Sequence, residues 1–223
     1  MKLNNLLEAK ALPSNTPAAV RFDFDCNDEK LTSLRFAPKE VGGSFLCHRN
    51  LLTSLLYAPE KVGAEFCCSN NDLVSLEHGP IKVGDSYECS MNELTSLKGA
   101  PAEIGGDFKC RGNKLTSLEH APSWIGGGLE CNRNKLTSLH NIHKHIKHIN
   151  YMADFSINPI ESHVLGLLKI EGLSYIKFVA FGYSNKVLEA VEKIINKHLK
   201  NGRNIFDCQV ELEDAGYEEY AQL

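Results

Sequence analysis

A cysteine recurs every 21 residues. Cys26, Cys47, Cys68, Cys89, Cys110 and Cys131 keep this step without an insertion or deletion. The segment after each cysteine keeps it too, with Leu-Thr-Ser-Leu at 31–34, 52–55, 94–97, 115–118 and 136–139 and Leu-Val-Ser-Leu at 73–76. Asn50, Asn71, Asn92, Asn113 and Asn134 each stand three residues past a cysteine. Pro38, Pro59, Pro80, Pro101 and Pro122 return in phase, each followed by Val or Ile and then Gly. A fixed period of about 20 residues means a solenoid, in which each turn buries its apolar residues only by stacking on its neighbours.

The repeat unit has a physical reading position by position. Around Phe-x-Cys the chain alternates as a short strand, which sends Phe45 and Cys47 inward and Ser44, Leu46 and His48 outward. Parallel strands about 4.8 Å apart bring equivalent residues into columns. A column of inward cysteines is a column of small apolar side chains that fits a narrow interior beside the larger phenylalanines. The asparagine sits where the chain leaves the strand, and its amide is expected to bond the backbone of its own turn and the next. The two leucines of Leu-Thr-Ser-Leu floor the core. Proline and glycine then force an extended, non-helical return.

The unit F-x-C-x-x-N-x-L-T-S-L-x-x-A-P-x-x-V-G-G resembles the leucine-rich repeat, with Phe108, Cys110, Asn113 and Leu115 at the positions of its L-x-L-x-x-N-x-L core. Cys replaces the second Leu, and the Val-Gly-Gly approach is one residue longer than usual. The resemblance covers residues 20–160. It implies an α+β solenoid with one curved parallel β-sheet, a mostly non-helical convex side and a helical C-terminal cap. The whole pattern, including the tail "CQVELEDAGYEEYAQL", is similar to leucine-rich-repeat proteins encoded by tailed bacteriophages. That likeness implies a phage origin and a role in the cytoplasm of the infected cell, and supplies no reaction. The units also resemble those of secreted bacterial effectors that carry a ligase domain, but no comparable domain is visible.

The expected organisation is an N-terminal cap over 1–19, a solenoid over 20–160 with six regular repeats and one degenerate one, and an α/β cap over 161–223. In the degenerate unit Met152, Phe155, Ile157 and Ile160 are placed in the Cys, Asn, Leu and Leu registers. Beyond it, "IESHVLGLLKIEG" reads as a short helix and "LSYIKFVAF" as a strand continuing the sheet. A helix capped by Ser184 or Asn185 follows, with Val187, Leu188, Val191, Ile194, Ile195 and Leu199 on one face, then a last helix ended by Gly216. This block is expected to cover the open end of the sheet.

A net charge of −4 across 223 residues argues against general binding to phosphate backbones or anionic lipid. No long apolar run spans a membrane, and the start does not read as a secretory signal. The expected compartment is a reducing cytosol, where the ladder cysteines are buried free thiols and not disulfides. Zinc needs thiolates that converge, and cysteines aimed the same way from successive strands do not. Neither a metal nor a cofactor is expected. Cys67 is expected to point outward, one strand from His48. His140, His143, His145 and His148 are expected to face water while Ile142, Ile146 and Ile149 stay buried.

The outward columns are the candidate site. Asp23, Ser44, Glu65, Ser86, Asp107 and Gly128 precede the Phe position, and Asp25, Leu46, Cys67, Glu88, Lys109 and Glu130 stand between Phe and Cys. Asn27, His48, Ser69, Ser90, Arg111 and Asn132 follow the cysteine, and Asp28, Arg49, Asn70, Met91, Gly112 and Arg133 come next. The face is therefore acidic along one edge and more basic along the other. Asp25, Leu46, His48, Arg49, Glu65, Cys67, Glu88, Met91, Asp107, Lys109, Arg111, Glu130, Arg133 and Tyr151 are the expected contacts of a protein partner on the concave sheet. The expected role is a non-enzymatic interaction module that binds, and inhibits by occlusion, a host or anti-phage defence protein. Two alternatives stand beside it. One is an enzyme with chemistry in the C-terminal block or at Cys67, which would show a fast-reacting thiol. The other is a nucleic-acid binder, which would show steep salt dependence.

Overall fold

The computed structural model describes residues 19–223, so the cap expected over 1–19 lies outside them except for Ala19. Each repeat turn contributes two very short strands. The first falls at Phe-x-Cys and builds an eight-stranded parallel ladder: Phe24–Asp25, Phe45–Leu46, Phe66–Cys67, Tyr87–Glu88, Phe108–Lys109, Leu129–Glu130, Met152–Asp154 and Tyr175–Lys177. The second falls just before the Gly and builds a seven-stranded ladder from Ala19–Val20 to His148–Ile149. The protein is a parallel β-solenoid of about eight turns. The return path, read from the sequence as irregular and extended, is regular enough to form this second sheet.

The two sheets enclose one continuous apolar core. Phe45, Phe66 and Phe108 are wholly buried, as are Cys47, Cys68, Cys89, Cys110 and Cys131 and Leu52, Leu55, Leu73, Leu76, Leu94 and Leu97. Val41, Val62, Val83, Ile104, Ile125 and Ile149 line the inner side of the second sheet. The aromatic column stacks directly: Phe24–Phe45 centroids are 5.4 Å apart and Phe45–Phe66 5.7 Å. Tyr87 continues the column, tilted 49° to Phe66. Its hydroxyl is buried and has no hydrogen-bond partner among the described residues. An unpaired buried hydroxyl costs about 1–3 kcal/mol. Tyr87→Phe is therefore expected to raise unfolding stability by about 1 kcal/mol or more, as measured by urea denaturation. A lower midpoint would show that the hydroxyl is paired.

The asparagine column does what its position demands, with one change of direction. Asn92 Nδ2 donates to the Cys89 carbonyl of its own turn (3.2 Å) and to the Cys68 carbonyl of the preceding turn (3.0 Å), while its Oδ1 accepts from Leu73 N (3.0 Å). Asn50, Asn71, Asn113 and Asn134 repeat the pattern. The bonds run back to the previous turn, not forward to the next.

The degenerate turn is longer than the sequence pattern suggests. Leu129 pairs with Ala153 and Glu130 with Asp154, so Ala153 takes the Phe place and Phe155 the Cys place. Asn158 takes the Asn place, donating to the Cys131 and Phe155 carbonyls at 2.9 Å and accepting from Leu136 N. This corrects the expectation that put Met152 in the Cys register and Phe155 in the Asn register. The extra residues go into helix α1, Ile142–His145, which the shorter turns lack. The core accommodates the change by exchanging volume. Phe beside Cys becomes Ala153 beside Phe155, then Ile176 beside Phe178, and the two phenylalanine rings lie 6.1 Å apart, tilted 39° to each other. A large–small pair swapped to small–large keeps the filled cross-section.

Beyond a 3-10 helix at Leu165–Lys169, the strand Tyr175–Lys177 closes the first sheet as its eighth member. Helices α2 (Lys186–Lys200) and α3 (Ile205–Asp214) follow, with Asn185 capping α2 by accepting from Leu188 N. Asn196 of α2 both accepts from Ile176 N and donates to Ile176 O at 2.8 Å, and Glu192 accepts from Phe178 N and Val179 N. Side chains thus pair the edge backbone groups that a ninth strand would otherwise claim. Arg203 donates to the Ile170 and Leu173 carbonyls, which ties the α2–α3 corner to the last turn.

Candidate functional site

The outer face of the eight-stranded ladder carries the columns read from the sequence, in register. Asp25 pairs with Leu46, Leu46 with Cys67, Cys67 with Glu88, Glu88 with Lys109, and Lys109 with Glu130. Asp154 and Lys177 extend this column, and their side chains lie 3.8 Å apart. Both were missed in the sequence because the longer turn shifts the spacing just before them. Tyr151 is exposed, at 62%, but it stands one residue before Met152, outside the columns it was expected to join.

Several of these side chains serve the backbone. Asp107 Oδ1 accepts from Gly128 N at 2.8 Å, and Asp23 Oδ1 accepts from Ser44 N at 2.7 Å. Asp25 accepts from Asn27 N at 3.1 Å. Asp107 also lies 3.7 Å from Lys109 Nζ. Ser69 and Ser90 are buried, and Ser69 Oγ accepts from Ser90 N at 3.0 Å. The third column is therefore outward-facing only at its ends, where Arg111 is exposed and His48 and Asn132 are half-buried.

Arg49, Met91 and Arg133 share a backbone property that the sequence pattern hides. With Asp28, Asn70, Gly112 and Ile157 they occupy the same place in successive turns, and each has φ between 54° and 67°. The chain turns out of the strand through this left-handed step, so these side chains splay away from the sheet. Arg49 reaches Asp28 at 3.9 Å, and Met91 is 48% exposed.

Cys67 faces outward as expected, but it is not open to solvent: its neighbours leave it 5% exposed. This corrects the expectation of an exposed thiol on the partner face. A strand residue between half-buried His48, Glu65 and Glu88 is walled in by the adjacent turns, about 4.8 Å away on either side. Its Sγ lies 3.7 Å from His48 Nδ1 and 3.8 Å from Glu88 Oε2. Burial, partly offset by a hydrogen bond from the Ser69 amide, pushes the thiol up to about 11, with Glu88 adding to the rise. Burial and the Glu88 charge likewise hold Glu65 above the usual carboxylate range. Glu65, Cys67 and Glu88 place one ligand-type atom each within 4.8 Å of one another.

The inward cysteines form no such grouping. All eight cysteines are free, and burial raises Cys26 and Cys208 to about 12 and Cys47, Cys68 and Cys89 well above their ordinary value. The histidines near 140–148 disperse onto different partners. His140 Nδ1 sits 3.1 Å from the Leu223 carbonyl, and His148 stacks on Trp124 with centroids 3.8 Å apart. His143 packs over Gly166, and burial lowers its pKa. Ile142, Ile146 and Ile149 are buried as the repeat requires.

These features define a repeat-built parallel β-solenoid with a ladder of 21-residue turns, a half-buried cluster of polar side chains around Cys67 and a mixed-charge outer face. No protein-family description, no curated protein and no solved structure matches the chain. Among the described residues no helix is long and apolar enough to cross a membrane.

Proposed function

We propose that the protein is a non-enzymatic interaction module of the leucine-rich-repeat kind, encoded by a tailed bacteriophage and acting in the cytoplasm of the infected cell. It binds a host or anti-phage defence protein through the outer face of the eight-stranded ladder and inhibits by occlusion. The observation that carries this is the register itself. Charged residues of both signs stand in fixed columns on a backbone held by ladder hydrogen bonds, so a complementary surface meets a face that needs no ordering on binding. Acidic Glu88 and Glu130 stand on either side of Lys109 in one column, with Glu65 in the column beside it and Arg111 and Arg133 in the columns beyond, and this pattern suits a charged protein surface better than a continuous phosphate track.

The thiols favour this role over catalysis. A nucleophilic cysteine needs a depressed pKa, and those of Cys67 and Cys208 are raised.

The test is affinity purification from the native host with wild type and a Lys109→Glu/Arg111→Glu/Glu130→Lys variant. Asp107 is left alone because it supports the backbone of the next turn. A specific partner retained by wild type and lost by the variant, at unchanged thermal stability, is the expected outcome. An identical set of partners on both proteins overturns the assignment of the face.

A further inference from the structure

We propose that Glu65, Cys67 and Glu88, completed by His48, form a binding site for a thiophilic divalent cation of the zinc class. The sequence assembles this set by register alone. Cys67 and Glu88 are neighbours in one outward column, and Glu65 lies two residues before Cys67 on the same strand face. His48 reaches in from the turn before. Three strands thus supply one sulfur, one imidazole nitrogen and two carboxylates, a donor set that suits zinc.

The spacing fits as well. A tetrahedral ion with bonds of about 2.3 Å to sulfur and about 2.0–2.1 Å to nitrogen or oxygen holds its ligand atoms roughly 3.3–3.6 Å apart. The Cys67 Sγ lies 3.7 Å from His48 Nδ1 and 3.8 Å from Glu88 Oε2. The remaining separations among the Glu65, Cys67 and Glu88 ligand atoms are within 4.8 Å, which small rotations of the two glutamate side chains close. His48 stands beside the thiol but outside this grouping, so a turn of its ring toward the carboxylates is needed for it to serve as the fourth ligand.

Without a cation this arrangement is internally opposed. Two carboxylates and a thiol share a half-buried space, where burial and the Glu88 charge disfavour ionisation of Glu65 and of Cys67. A dication reverses every one of these terms: it takes the thiolate, accepts both carboxylates and uses the imidazole in its neutral form. Other charged groups face the site too. Lys109 stands beside Glu88 in the column and stabilises the Glu65 carboxylate, while Asp85 opposes it. Lys109 therefore competes with the ion for the same negative charge. Binding displaces the Cys67 proton to solvent, one proton for each ion bound.

The site is tested by titrating the metal-free, reduced full-length protein with Co2+ and then Zn2+. One equivalent of Co2+ is expected to bind and to give thiolate-to-cobalt charge-transfer absorption, which Zn2+ then abolishes. Affinity should rise about tenfold per pH unit near neutrality, because the ion must displace a thiol proton. Cys67→Ser should remove the charge-transfer band. Glu88→Gln, at a partly solvated position that leaves the fold intact, should weaken binding at least tenfold. Lys109→Met should tighten it severalfold, a gain that a merely structural role for Lys109 does not produce. Absence of the band in wild type, a wild-type band in Cys67→Ser, or affinity indifferent to both Glu88→Gln and Lys109→Met would each overturn the proposal.

Discussion

Asn92→Ala is expected to cost about 2–3 kcal/mol, because it removes hydrogen bonds from three buried backbone groups and leaves one of them, Leu73 N, without a partner. Leu73 N loses its acceptor, and the Cys68 and Cys89 carbonyls each lose one of two donors, keeping those from Asn71 and Asn113. Asn92 and its neighbours Cys89 and Leu94 are enclosed in the stack. The effect exceeds that of one ordinary hydrogen bond because the amide bridges two turns. Thr95→Ala in the same turn is the control: its side chain is exposed, and it should shift stability by less than about 0.5 kcal/mol. Urea denaturation of the two variants side by side provides the check. Equal midpoints would mean that the asparagine column is not what joins the turns.

The second large effect is expected at Gly84→Ala. A Cβ built there falls 2.1 Å from the Gly63 carbonyl oxygen, which is backbone and cannot swing away. The same approach recurs at Gly63 over Gly42, Gly105 over Gly84 and Gly126 over Gly105, at 2.0 to 2.2 Å. A methyl group at any of these positions pries two turns apart along the second ladder. The expected loss is about 3 kcal/mol or more, above the usual range for an overpacked site because no side chain is available to yield. Gly202→Ala provides the contrast. Among the described residues nothing lies within 4 Å of a Cβ built there, and its φ of +88° carries only local strain, worth about 1–2 kcal/mol. If Gly84→Ala proves as mild as Gly202→Ala, the second ladder does not hold the turns at the spacing described.

These two variants mark how much could be read from the chain itself. The asparagine column was legible because a polar residue at a fixed distance from the strand has backbone groups to satisfy in every turn. Gly84 was legible only as a turn former. Its function as a contact point between turns depends on a second sheet, and two-residue strands bounded by glycine leave no alternation to detect. Tyr151 was misplaced for a related reason: carrying a 21-residue step past Cys131 puts every later residue three positions early. The Asn158 bonds to Cys131 and Phe155 expose the shift, and a search for the next asparagine three residues after a buried apolar residue would have found it. The grouping of Glu65, Cys67 and Glu88 was visible in part. The columns placed all three side by side, but a column gives adjacency of backbones, whereas coordination depends on where side-chain tips converge.

The sequence by itself determined the period of the six regular turns and which of their residues face the core. A translational repeat leaves no other solution: residues at one position in each unit share one environment, so inward sulfur and outward charge follow from strand alternation. Only the tertiary structure decided where the longer turn takes up its extra residues, how Ala153 and Phe155 exchange volume across the core, and that Cys67 is closed in by the turns on either side. Those outcomes arise between turns. They depend on the space neighbouring backbones leave and on the rotamers that fill it, and neither is encoded at any single position of the repeat.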